Sequence, residues 1–259
     1  MRALIDGDIV CYRAACSAEN DEVWIALSRA DSTINMILEE TGAQHYTVFL
    51  TGSNNFRRDI SPSYKAQRPD ARPAHWQAIR DYLLTQHRAI MCDGYEADDE
   101  MGIQQDKTGG TTVICSIDKD LKQIPGKHYN FVRKETDHVE TTQGKKFLYL
   151  QSLIGDRSDN IFGVEGIGPV KANKALEGLY SELEWYEKCR ELYNDDERFH
   201  LNMQLLYIWQ KPYDKWLPPT TATREAGNSS SGVADHPPAS TLHSGEGEGQ
   251  QQHQKDKHD

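Results

Sequence analysis

The segment from Ile154 to Ala172, Ile-Gly-Asp-Arg-Ser-Asp-Asn-Ile-Phe-Gly-Val-Glu-Gly-Ile-Gly-Pro-Val-Lys-Ala, sets two kinds of chemistry side by side. Asp156 and Asp159 are spaced so that one helical turn puts both carboxylates on the same face, where they can share a cation. Gly166-Ile167-Gly168, followed by Pro169, reads as a tight turn entering a helix. Its glycines tolerate positive φ, and proline suits a first helical position. The N–H groups of such a helix start favour a phosphate, and Lys171 adds a positive charge beside them. A cation site next to a phosphodiester site points to a metal-dependent enzyme acting on nucleic acid. Solvated aspartates and a plain surface turn are the competing reading for either feature alone.

Three more acid groups strengthen the metal reading: Asp6-Gly7-Asp8, Glu96-Ala97-Asp98-Asp99-Glu100 and Ser116-Ile117-Asp118-Lys119-Asp120. On a helix beginning near Glu96, Glu96 and Asp99 share a face and Asp98 is displaced from it. Carboxylates this crowded repel one another unless cations neutralise them. Hard oxygen donors suit Mg²⁺ or Mn²⁺. The net charge of −11 over 259 residues at first argues against a nucleic-acid partner. Much of that charge belongs to these motifs, and bound cations would offset it.

The elements that must carry these groups follow from hydrophobic patterning. Residues 2 to 6 read as a buried strand ending in acids, and ligands bind at the carboxyl edge of an open α/β sheet. Val23, Leu27, Ala30, Ile34 and Ile37 keep helical spacing, which Gly42 ends. Strands are expected at 45–50, 88–92 and 112–116, with further ones at 128–132 and 138–141. Helices are expected around Trp76, Ile79 and Leu83, then at 145–154, 181–194 and 198–210. A parallel sheet would gather the dispersed acids at one edge.

Residues 51 to 75 are the basic stretch of an acidic chain: Arg57, Arg58, Lys65, Arg68 and Arg72, with Phe56 and Tyr64 between them. Cations hold a nucleic-acid backbone and rings stack on bases, so this composition suits a single strand. A solvated loop is the plainer alternative. From about residue 218 the chain turns to Ser, Thr, Gly, Gln, His and Pro, and is expected to be disordered. No apolar run of about 18 residues spans a membrane, and Met1–Asp6 shows no signal-peptide pattern. Cys11, Cys16, Cys92, Cys115 and Cys189 form no Cys-x-x-Cys pair, which suggests buried thiols in a reducing, cytoplasmic setting.

Tyr64-Lys65-x-x-Arg68, Glu96-Ala97-Asp98-Asp99, Ser116-x-Asp118-x-Asp120 and Gly-Asp-x-x-Asp-Asn-Ile-x-Gly-Val-x-Gly-Ile-Gly (155–168) occur in this order. Together they resemble the flap endonuclease and 5′→3′ exonuclease superfamily, most closely its compact phage-type members. The resemblance covers residues 2 to 175. It implies a PIN-like, mostly parallel central sheet flanked by helices, followed by a helical helix–three-turn–helix region. Residues 1–150 would form the catalytic domain, 151–217 the DNA-binding region and 218–259 the tail.

The implied reaction is two-metal-ion hydrolysis of DNA with low sequence preference, in replication and repair. Mg²⁺ would be the cofactor, with Mn²⁺ able to substitute. Asp6, Glu96, Asp98 and Asp99 would serve one ion and Asp118, Asp120, Asp156 and Asp159 the other, with Asp8 and Glu100 farther out. Lys65 and Arg68 would hold the scissile phosphate and stabilise transition-state charge. Tyr64, Arg72, Gly163, Gly166, Ile167, Gly168 and Lys171 would join them in contacting DNA, and the carbonyls of Val164 and Ile167 would hold K⁺. The implied partners are DNA with free 5′ ends, nicks, gaps or 5′ flaps, and RNA–DNA hybrids. The chain would act as a monomer, in the host cytoplasm if phage-encoded. Leu50-Thr51-Gly52-Ser53 departs from the family, because relatives often carry an acid there. A PIN-like ribonuclease and a non-catalytic DNA-structure-binding protein are the rival readings.

Overall fold

Residues 1–69 and 71–220 are described in the computed structural model. β1 (Arg2–Asp6) runs directly into α1 (Gly7–Ser17), followed by α2 (Val23–Thr41), β2 (His45–Asn55), the short α3 (Phe56–Ile60) and α4 (Trp76–Gln86). Then come β3 (Ile90–Gly94), α5 (Ala97–Lys107), β4 (Thr112–Cys115), β5 (Gly126–Asn130), β6 (Glu135–Val139) and α6 (Thr141–Ile154). The two-residue strands β7 (Gly155–Asp156) and β8 (Ile161–Phe162) pair with each other and lead to α7 (Pro169–Ala175), α8 (Glu182–Tyr193) and α9 (Asp196–Leu206).

The main sheet has the order β3-β2-β1-β4-β5-β6. Every neighbouring pair is parallel except β5 with β6, whose short connection permits only an antiparallel return. Both faces are covered. Ile5, Val48, Leu50 and Val113 face α1, α2 and α4 through Ala14, Ile34 and Ile79. Leu4, Phe49 and Ile114 point the other way, toward Met101 and Ile124. This period-two division of continuous apolar runs marks strands buried on both sides. A third cluster, built on Tyr149, Leu153, Trp185, Phe199 and Met203, holds α6 to α9 together.

The mostly parallel sheet agrees with the expected fold. Four local readings are corrected. α1 was not anticipated, because its buried side is made of small residues, Cys11, Ala14 and Ala15, rather than a stripe of large ones. β5 and β6 each begin two to three residues early. α9 stops at Leu206, where Tyr207 turns extended, rather than running to 210. Cys16 is exposed, whereas Cys11, Cys92, Cys115 and Cys189 are buried as expected. The expected tail lies, beyond residue 220, outside the described residues. No helix among the described residues is long and apolar enough to cross a membrane.

Candidate active site

The strand order runs outward in opposite directions from β1 and β4, and in open α/β sheets the carboxyl ends at such a switch point are where ligands bind. Asp6 ends β1 and caps α1, its Oδ1 accepting from the Ile9 amide at 3.0 Å. Its Oδ2 accepts from the Ser116 hydroxyl at 2.6 Å. That hydroxyl also accepts from the Asp118 amide at 3.0 Å, and Asp118 in turn caps Asp120. Ser116, at the end of β4, therefore links two of the acid motifs.

Electrostatics show how closely the acids gather. Burial and then the charges of Asp8 and Asp118 push the Asp6 carboxyl up to about 7. Burial, then Asp118, Asp6 and Glu96, lifts Asp98 well above the usual range. Burial and Asp118 raise Asp120 to about 6. Among the described residues, Asp6, Asp98 and Asp118 form no ion pair with any basic side chain. These three are hard oxygen donors that repel one another, which is chemistry a divalent cation would relieve.

The remaining acids are paired. Lys65 Nζ meets Glu96 Oε1 and lies 3.6 Å from Asp159 Oδ2. Arg68 Nη2 lies 2.5 Å from Asp159 Oδ1. The buried Tyr64 hydroxyl stands 2.9 Å from Glu96 Oε2 and 3.1 Å from Asp159 Oδ2. Burial works to raise the Glu96 pKa, but Lys65 and Arg57 outweigh it and hold the carboxyl down at about 2. Lys119 bridges Asp120 and Asp156 at 3.1 and 2.8 Å. Lys119 and Ser158 overcome burial and keep Asp156 below its ordinary value. Among the described residues, no three acidic, His or Cys side chains converge into a ready-made metal cage. The expected gathering at one edge is present; a closed cage is not.

Asp99 departs from the expected geometry. Glu96 is the extended N-cap of α5, so the two acids do not share a helical face. Asp99 is wholly buried and turned toward Arg57, whose guanidinium meets its oxygens at 2.7 and 2.8 Å. The same two oxygens accept the Glu96 and Trp209 amides, each at 3.0 Å. Asp8 is likewise taken, by Arg80 at 2.6 Å and by the Thr51 amide at 2.9 Å. Glu100 accepts from Tyr95 and Gln104. Arg72 lies over the Trp76 ring, 5.1 Å from its centroid.

The basic segment carrying Tyr64, Lys65 and Arg68 is docked on the aspartate loop. The Lys65 amide donates to the Asp159 carbonyl at 3.0 Å, and Asn160 Nδ2 donates to the Ser63 carbonyl at 2.9 Å. Asp156 caps and Asp159 ends a 3₁₀ turn, tighter than the α-turn the spacing suggested. In the hairpin, Gly166 has φ +72°, but Gly168 is extended and caps α7, with Pro169 in its first turn. The Val164 carbonyl accepts from the Ile167 amide at 3.1 Å. Gly166, Gly168 and Lys171 are exposed; Gly163, Val164 and Ile167 are half-buried. Arg198 fixes the hairpin base through the Gly163 carbonyl at 2.8 Å.

Sequence reasoning missed Arg80 and the inward turn of Arg57. Both are buried basic residues, and nothing short of a packed acid partner reveals them. Lys119 lies between the acids of its motif, where the pattern of spacing gives it no role.

Fold and site together define an α/β domain of the resolvase-like class. Residues 1–148, more than half of the chain, match the model for the N-terminal resolvase-like domain of 5′-3′ exonucleases, and the chain belongs to that family. It is 31% identical over 203 residues to DNA polymerase I of Borreliella burgdorferi, an alignment covering 68% of this chain and 22% of the polymerase. The chain thus spans about a fifth of that relative. It is 26% identical over 195 residues to flap endonuclease Xni of Shewanella baltica, covering 69% of this chain and 74% of that one. The fold is shared with the T5 5′-exonuclease solved with divalent zinc ions (TM-score 0.62, 19% identity, 80% of this chain and 89% of that one). It is also shared with a bacteriophage T5 flap endonuclease solved with DNA and metal ions (TM-score 0.61, 20% identity, 79% and 88%).

Proposed function

We propose that this chain is a divalent-metal-dependent 5′-nuclease, cleaving DNA phosphodiesters as a 5′→3′ exonuclease and flap endonuclease. The observation that carries the reading is the set of three carboxylates, Asp6, Asp98 and Asp118, left without ion pairs at the carboxyl edge of the sheet. The printed activities of the Shewanella and T5 proteins support it. Asp6, Glu96, Asp98 and Asp118 would hold one Mg²⁺, and Asp120, Asp156 and Asp159 the other. Bound there, the ions would supply Lewis acidity to the phosphodiester and lower the pKa of the attacking water.

The chain's own residues do the rest. Lys65 and Arg68 sit on the acids from the side of the basic segment, so a scissile phosphate entering that edge meets both as alternative anionic partners. Tyr64 is buried and anchors this segment. Residues 1–150 carry most of the acids. Residues 151–217 present Gly163, Gly166, Ile167, Gly168 and Lys171 to the duplex backbone, a contact that reads no bases. Val164 and Ile167 carbonyls would take the K⁺ of that hairpin.

The test is digestion of end-labelled nicked, gapped and 5′-flapped duplex DNA with Mg²⁺, beside single-stranded RNA. We expect release from 5′ ends and flaps, abolished by EDTA. Asp118→Ala is expected to lose at least a hundredfold in kcat while still binding DNA. Preference for RNA would overturn the reading in favour of a ribonuclease. DNA binding without Mg²⁺-dependent cleavage would overturn it in favour of a non-catalytic binder.

A further inference from the structure

At Tyr207 the chain leaves α9 and runs on without regular structure to Trp209, so the last helical residues, Leu205 and Leu206, and this segment form one strap, Leu205 to Trp209. No strand among the described residues pairs with it. Buried side chains from the acid-bearing elements take its polar groups in alternation instead. Arg57 donates to the Leu205 carbonyl at 2.9 Å and to the Tyr207 carbonyl at 2.6 Å. Gln123, in the 3₁₀ turn that Asp120 begins, donates to the Leu206 carbonyl at 2.8 Å and accepts from the Ile208 amide at 3.2 Å. Asp99 accepts the Trp209 amide at 3.0 Å. Gly102 lets the strap come this close, since a Cβ there would stand 2.3 Å from the Trp209 carbonyl oxygen.

Each clasp continues into one half of the acid cluster. Arg57 holds Asp99 through two bonds and lies 3.5 Å from Glu96 Oε2, while Asp99 caps the Glu96 amide. Gln123 donates to Gln151 Oε1 at 2.7 Å, and Gln151 donates to Asp120 Oδ1 at 2.6 Å. Arg57, Asp99, Gln123 and Gln151 are all buried, so most of these bonds are shielded from water.

We propose that the strap is an internal ruler that sets the spacing of the two acid groups, with Arg57 and Gln123 as its positioning residues. This rests on the two-ion reading above. Arg57 fixes Glu96, and Gln123 fixes Asp120 through Gln151. Asp99 belongs to the clasp: its oxygens already accept the Arg57 guanidinium and two backbone amides, so it orients Glu96 instead of binding an ion.

The experiment is Mn²⁺ titration of the full chain followed by electron paramagnetic resonance, with thermal melting of each variant in parallel. The wild type is expected to bind two ions. Arg57→Lys keeps the charge but cannot reach all of its partners, and is expected to weaken one binding step at least tenfold. Gln123→Met should weaken the other step. If Arg57→Lys does not fold, Gly102→Ala presses on the strap without removing any polar group and should weaken the same step as Arg57→Lys. Variants that melt earlier but keep both Mn²⁺ steps at wild-type strength overturn the inference, as do variants that weaken both steps equally. A wild type that takes up fewer than two ions overturns the metal-pair reading and this inference with it.

Discussion

At the scale of the residue, the site is a contest between burial and charge. Asp6 is held at about 7, Asp120 at about 6, and Asp98 well above the ordinary carboxylate value of 3.8. Between that ordinary value and about pH 7 these three carboxyls hold more protons in the folded chain than in the unfolded one, so their contribution to stability falls as pH rises; His128, which burial pushes down to about 4, opposes them between about 4 and 6.5, but as a single group against three. Glu96 works in the opposite sense, but its contribution is present above 4.5 and lost only as pH falls toward 2, so it does not cancel the effect. In EDTA, calorimetry should therefore give a higher melting temperature near about pH 5.5 than near about pH 8. Saturating Mg²⁺ should flatten or reverse that trend, since ions bind deprotonated carboxylates. A melting temperature that climbs from pH 5.5 to 8 in EDTA would count against the shared burial of these acids. Tyr64, Lys65 and Arg68 were legible because motif and spacing name them. Arg57 was legible only as part of a basic run, whose solvated appearance conceals that its guanidinium is buried against Asp99.

At the scale of the element, what mattered was where backbone touches backbone. Gly155 ends α6 at φ +76°, and a Cβ there would stand 2.3 Å from the Gly163 amide nitrogen. Gly155→Ala should cost about 1–3 kcal/mol from strain and overpacking together. It should also displace the adjacent Asp156, so cleavage would fall more than the melting temperature alone explains. Full activity in a stably folded Gly155→Ala would show that the hairpin base does not set Asp156. Strands β1, β2 and β4 could be read from the sequence because each is a continuous apolar run. Helix α1 could not, because alanine and cysteine carry little periodic signal. The end of α9 was invisible for another reason: Tyr207 leaves the helix only because Arg57 and Gln123 are waiting for the carbonyls of its neighbours and of Tyr207 itself.

At the scale of the whole molecule, a net charge of −11 must meet a polyanion. Without divalent ions the acid edge repels DNA, and Lys65, Arg68 and Lys119 are engaged with the chain's own acids. Affinity for a 5′-flapped duplex should therefore drop about tenfold or more when EDTA replaces Ca²⁺, measured by fluorescence anisotropy at one fixed salt concentration. Equal affinity in the two conditions would mean that the acids do not face the DNA. The parallel sheet makes this geometry possible. Asp6, Glu96 and Asp118 follow three different strands, and parallel strands deliver their carboxyl ends to the same edge.

Taken alone, the amino-acid sequence determined the fold class, the order of the acid motifs and the residues of the basic segment. Those properties reside in hydrophobic runs and local spacing, which a linear chain displays directly. Only the tertiary structure decided which acids stay without basic partners and which are claimed. Asp99 and Asp8 look no different from Asp98 and Asp6 along the chain. Their fates diverge because Arg57 and Arg80, distant in sequence, are buried against them, and a buried guanidinium must find a carboxylate.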